Sequence, residues 1–187
     1  MTKTFVKRAI ALMLALVTVF SISVTAFAAK VSSYNCAGDK DGYVTKTFYV
    51  KTGSSSSSRK TTITCGKGSM IPQNVSGMKD YTISIYGSYE VTISYWNGSK
   101  WVEEDNFDIY NKSSKTLTFD RKNTYYKVQI YSWRTSTIMS SYLNKGVLSY
   151  SITRAIGGGT INPIWKTVPK CIAKPNSGCT MYNSNPV

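Results

Sequence analysis

Histidine is absent from all 187 residues. Without an imidazole the chain has no Ser-His-Asp or Cys-His machinery and no His-based metal hydrolysis. Acids are also scarce, 9 Asp and Glu against 23 Lys and Arg, and none follows Asp120. The acids available for a carboxylate-pair mechanism, of the kind that cleaves glycosidic bonds, cluster at Glu103, Glu104, Asp105, Asp108 and Asp120. Glu103-Glu104-Asp105 reads most simply as a solvated, turn-like stretch. No Asp-x-Asp-x-Asp-Gly calcium loop occurs, and Asp39-Lys40-Asp41-Gly42 is only a fragment of one. Cysteines number four, spaced too widely for a zinc site: 28 residues separate Cys36 from Cys65 and 7 separate Cys171 from Cys179. No metal and no cofactor is therefore expected. A sustained helical period is missing as well.

Only one long apolar run is present, at the start. Lys3, Lys7 and Arg8 precede Ala9 to Val17, continued by Val19 and Phe20, and Ala26-Phe27-Ala28 supplies a small-x-small exit. Basic head, short apolar core and small-residue exit, in that order, are the parts of a secretory signal. Ser21, Ser23 and Thr25 interrupt the run before the roughly 20 apolar residues a membrane span needs. The expectation is cleavage after about residue 28, release from the cell, and no transmembrane segment in the mature chain. The leader resembles those of Gram-positive bacteria. In such a compartment an even number of cysteines implies disulfides, here drawn from Cys36, Cys65, Cys171 and Cys179. Three pairings are possible, and proximity in sequence favours Cys36–Cys65 with Cys171–Cys179.

What remains is strongly basic. Of the 23 bases only three lie in the leader, and residues 121–187 carry Arg121, Lys122, Lys127, Arg134, Lys145, Arg154, Lys166, Lys170 and Lys174 with no acid. Such an excess draws polyanions. Outside a cell these are an anionic cell-wall polymer, an acidic polysaccharide or a membrane surface rather than intracellular nucleic acid.

Short runs of β-branched and aromatic residues fill the middle of the chain. Tyr43 to Lys51, Arg59 to Cys65, Tyr81 to Ile85, Glu90 to Trp96, Phe107 to Tyr110, Thr116 to Phe119, Tyr125 to Trp133 and Val147 to Ile152 read as strands. Gly53 and Ser54 to Ser58 read as a flexible loop. Asn97-Gly98 predicts a hairpin with both turn residues at positive φ, with Trp101-Val102 opening the returning strand. Thr135 to Leu143 has room for a short helical turn. Pro163, Pro169, Pro175 and Pro186, after Gly157-Gly158-Gly159, predict an irregular tail. The reading is a single all-β domain over 29–156, an antiparallel β-sandwich of jelly-roll or Ig-like type stabilised by disulfides, with an irregular C-terminal tail over 157–187. The segment Tyr125-Tyr126-Lys127-Val128-Gln129-Ile130 resembles the secreted jelly-roll domains appended to bacterial exoenzymes. That resemblance spans one strand, and no function is transferred from it.

Aromatic residues are the positive signal, with 14 Tyr and 4 Trp. Along Tyr125 to Trp133, Tyr126, Val128 and Ile130 share the core face. Tyr125, Lys127, Gln129, Tyr131 and Trp133 share the other, flanked by Arg121, Lys122 and Arg134. Flat rings beside cations suit a sugar or an anionic chain, and ordinary strand packing is the competing explanation. The candidate ligand-binding residues are Tyr125, Lys127, Tyr131, Trp133, Arg121 and Arg134; Trp96 and Trp101, flanking the Asn97-Gly98 turn, form a second candidate, with cross-strand packing as the simpler reading. The expected function is a secreted, non-enzymatic binding protein for an anionic envelope polymer or glycan. A membrane-active antibacterial protein and a carboxylate-dependent glycan-cleaving enzyme are the alternatives.

Overall fold

The computed structural model describes residues 28–73, 82–144 and 162–187. The predicted leader up to residue 27, the predicted strand at Val147 to Ile152 and the triple glycine lie outside the described residues. Within them the protein is mostly β. Thirteen strands and one helix occur in the order β1 (Lys30–Val31), β2 (Tyr34–Asn35), β3 (Thr45–Lys51), β4 (Lys60–Cys65), β5 (Lys67–Gln73), β6 (Ile83–Tyr86), β7 (Tyr89–Trp96), β8 (Trp101–Ile109), β9 (Ser114–Thr118), β10 (Tyr125–Ser132), α1 (Thr135–Asn144), β11 (Asn162–Thr167), β12 (Cys171–Pro175) and β13 (Thr180–Tyr182). All pairings are antiparallel.

A six-stranded sheet runs β1-β13-β3-β10-β7-β8, a four-stranded sheet β2-β12-β4-β9, and a three-stranded sheet β11-β5-β6. Period-two patterning explains which face each strand buries. On β10, Tyr126, Val128 and Ile130 are fully buried while Tyr125, Lys127, Gln129 and Tyr131 are half-buried on the other side. The six- and four-stranded sheets supply one apolar cluster: Phe48, Val50, Val91, Ile93 and Val128 from the first, Ile63, Leu117 and Ala173 from the second. A second cluster joins the three-stranded sheet to α1, with Met70, Ile83, Ile85 and Trp165 against Ile138, Met139 and Tyr142. The helix is ten residues long rather than a single turn. Its buried residues at 138, 139 and 142 fall on one helical face, the Tyr142 hydroxyl donates to the Tyr86 carbonyl at 2.8 Å, and Thr135 Oγ1 donates to the Pro163 carbonyl at 2.9 Å.

Several further expectations change. The C-terminal segment is not an irregular tail: β12 lies between β2 and β4, and β13 between β1 and β3. Its prolines are accommodated because Pro175 ends β12 and Pro163 lies on the edge strand β11. The serine run is not loose either; Ser57–Arg59 forms a 3-10 turn, Ser58 is buried, and its hydroxyl donates to the Ser55 carbonyl at 2.9 Å. Glu103-Glu104-Asp105 is strand rather than turn, because β8 continues through it to Ile109 with one irregularity opposite Ile93 and Ser94. The hairpin at Asn97-Gly98 is wider than a two-residue turn. Trp96 and Trp101 are register partners across a four-residue loop, and only Gly98 has positive φ there, at 101°. Asn97 instead accepts on Oδ1 from the backbone N–H of Ser99 and of Lys100, both at 2.9 Å.

The favoured cysteine pairing does not match the topology. All four cysteines are buried, free thiols. Cys65 is the register partner of Cys171, with the sulfurs 3.7 Å apart, while Cys179 lies 3.9 Å from Thr61 Oγ1. Closeness in sequence misled because β12 inserts between strands from the other end of the chain.

Candidate ligand-binding face

The outward face of the six-stranded sheet carries the aromatic residues that the core does not use. Register sets them in rows. Tyr182 on β13 is opposite Tyr49 on β3, Tyr49 opposite Lys127 on β10, Lys127 opposite Ser94 on β7, and Ser94 opposite Glu103 on β8. One step along, Thr180 is opposite Lys51, and Lys51 opposite Tyr125. Trp101 leans back across the intervening strands to meet the Tyr49 ring at 5.5 Å between centroids, and Trp96 packs on it at 5.3 Å. That overhang accounts for Ser94, an outward residue that is only 4% exposed. Tyr125 and Tyr182 are 6.3 Å apart.

Two ammonium groups are set among these rings. Lys51 Nζ is 4.9 Å from the centre of the Tyr125 ring and Lys127 Nζ 5.8 Å from that of Trp101. Such contacts are worth about 0.5–1 kcal/mol at exposed sites, enough to bias where the chains point while leaving the charge facing outward. The five rings and two cations form a half-buried platform that can stack against a flat apolar face and pair with an anion beside it. At the other end of this face the charge reverses. Glu90 is the register partner of Asp108, and Asn106 Nδ2 donates to Glu90 Oε1 at 3.1 Å.

Of the six residues singled out in the sequence, Tyr125 and Lys127 belong to this platform. Tyr131 shares the face but sits beside Glu90 and packs edge-on against Tyr43 at 5.2 Å. Arg134 lies over that Tyr43 ring at 4.6 Å, so these three form a separate group. Contact with the Tyr131 hydroxyl, then with Arg134, lowers the Tyr43 phenol below its ordinary pKa. Trp133 follows the end of β10 and packs against the second apolar cluster instead. Arg121 is spent elsewhere, paired to Glu104 Oε1 at 3.2 Å and stacked 3.8 Å over Tyr95.

Tyr49, Lys51, Trp96, Trp101 and Tyr182 complete the platform. The first two were visible in the alternation of β3, whose polar face mirrors that of β10. Tyr182 had no local signal, because only long-range pairing brings it beside Tyr49. Among the described residues the bases of the C-terminal third do not form one patch: Lys127 is on the outward face, Lys174 on the four-stranded sheet opposite Thr62, and Lys166 on the three-stranded sheet.

Glu103 and Asp105 fall at register positions on opposite faces of β8, and Glu104 is occupied by Arg121. Among the described residues no group of three or more Cys, Asp or Glu side chains is placed to hold a metal ion. No helix among them is long and apolar enough to cross a membrane. Comparison with protein-family profiles, curated proteins and solved structures finds no match.

Proposed function

We propose that this chain is a secreted, non-enzymatic binding protein, and that the platform on its six-stranded sheet holds an anionic glycan or cell-wall polymer. The observation that carries the reading is Lys127, an ammonium set between Tyr49 and Ser94 in register and beside the Trp101 ring. Rings supply area for stacking on sugar faces at little cost in side-chain entropy. Lysines between them meet phosphate or carboxylate groups on the same chain. The acidic end around Glu90 and Asp108 repels such a polymer and orients it toward the cationic end. Under this reading the leader delivers the chain outside the cell, and the two sheets that share the larger apolar cluster act as an antiparallel sandwich presenting one outer face.

The test is co-sedimentation of the exported chain with isolated cell walls, and with the same walls stripped of anionic polymer. Binding is expected to need the polymer and to weaken as salt rises, since the Debye length falls from about 10 Å at 0.1 M to about 3 Å at 1 M. Lys127→Gln and Trp101→Ala are each expected to weaken binding roughly tenfold, about 1.4 kcal/mol. Arg121→Gln, which removes a cation already engaged by Glu104, is expected to leave it within about twofold. Equal binding to stripped walls, or no loss in both platform variants, overturns the reading; dye release from anionic vesicles would favour a membrane-active protein instead.

A further inference from the structure

The four-stranded sheet places three thiols in a row. Its strand order is β2-β12-β4-β9. Cys171 is on the middle strand, Cys65 is its register partner on β4, and Cys36 follows β2 on the other side, with its N–H donating to the Cys171 carbonyl at 2.7 Å. The Gly66 N–H donates to the Lys170 carbonyl at 2.7 Å, which makes Cys65 and Cys171 a non-hydrogen-bonded cross-strand pair, the kind whose side chains approach most closely. All three cysteines belong to the same apolar cluster and none is more than 3% exposed. Cys179 stands apart at Thr61, four residues along β4 from Cys65 and so roughly 13 Å away at the rise of a strand.

We propose that these residues form a one-disulfide redox site in which Cys171 is the obligatory partner: Cys65 and Cys171 oxidise to a cross-strand cystine, and Cys36 is retained as a thiol that can take the place of Cys65. With a low-molecular-weight disulfide as oxidant, one cysteine thiolate attacks a reagent sulfur and expels one reagent thiol. The second cysteine thiolate then displaces the other. Two protein thiols lose two electrons and two protons, and the reagent disulfide becomes two thiols. Exchange needs no oxidant: the Cys36 thiolate attacks Cys171 Sγ, the bond to Cys65 breaks, and Cys65 leaves as thiolate and takes up the proton Cys36 gave up. Displacement at sulfur proceeds through such an attack on one disulfide sulfur, and the strand order puts entering and leaving groups on opposite sides of Cys171. The two cystines differ mechanically, one tying β12 to β4 and the other tying it to the segment after β2. Contact with Cys171 and burial hold the Cys65 thiol above its ordinary pKa, and contact with Cys36 does the same for Cys171. Both steps are therefore slow in the closed sheet.

The exported chain, purified without reductant, is incubated with oxidised glutathione, quenched in acid, unfolded, alkylated, digested and mapped by mass spectrometry. The expected result is one disulfide and two alkylated cysteines per chain, with every cross-linked peptide containing Cys171 and none containing Cys179. Cys65→Ser should move the cross-link to Cys36–Cys171, and Cys171→Ser should abolish it. A cross-link through Cys179, a Cys36–Cys65 link in either the parent or Cys171→Ser, or no disulfide in the parent overturns the proposal. The parent map decides this even where a variant does not fold.

Discussion

Tyr43 shows how one cation can be used at the scale of a single side chain. Its phenol lies at the surface between the Tyr131 ring and the Arg134 guanidinium, and both contacts favour the ionised form. A depressed acidic pKa favours the folded state above the ordinary phenol range, and that contribution is lost as pH falls through the folded value. Ultraviolet titration of the phenolate band is expected to show an early-ionising step from Tyr43, and Arg134→Ala should move that step to higher pH without abolishing it, because the Tyr131 contact remains. An early step left at the same pH in Arg134→Ala would mean that Arg134 does not contribute to it. Arg134 was legible as a basic residue flanking an aromatic strand, but its partner was not: Tyr43 is 91 positions earlier in the sequence and meets it only through the pairing of β3 with β10.

Elements differ in how openly their sequences declare them. β10 and β7 alternate without interruption, so both strands and their buried faces could be read directly. β8 was harder, since three consecutive acids look like a turn. They remain in a strand because it is the edge of the six-stranded sheet, where half the side chains meet solvent and charge also discourages further pairing. The hairpin between these strands depends on Gly98, whose φ of 101° is unfavourable for an L side chain although no atom lies within 4 Å of a Cβ placed there. Gly98→Ala is therefore a conformational test free of steric clash. It is expected to lower the unfolding free energy by about 1–2 kcal/mol in denaturant titration, and to loosen the Trp96–Trp101 contact, visible as altered near-ultraviolet circular dichroism. An unchanged midpoint would show that the loop relaxes at no cost.

On the scale of the whole molecule, the all-β class was legible from the recurrence of short alternating runs, and the contribution of the C-terminal segment was not. Proline count argued for a tail because it weighs each residue without its sheet position; β12 and β13 are short, and what makes them strands is the neighbours they lie between. A chain ending at Thr167 would lose β12 from between β2 and β4 and β13 from between β1 and β3. It is expected to show no cooperative thermal transition, whereas a chain lacking only 183–187 should keep one. A cooperative transition in the shorter chain would mean that the sheets close without these strands.

The pairing of β13 with β1, continued by the Asn183 N–H to the Ala29 carbonyl at 3.2 Å, also bears on timing. First and last strands of the described chain are stitched side by side, so the six-stranded sheet cannot be completed from any N-terminal portion alone. Contacts of such long sequence separation form late and slowly. A nascent chain with this topology cannot close that side of its six-stranded sheet until β13 has been made, which leaves the outer edge of β3 and the strand β1 unpaired until then.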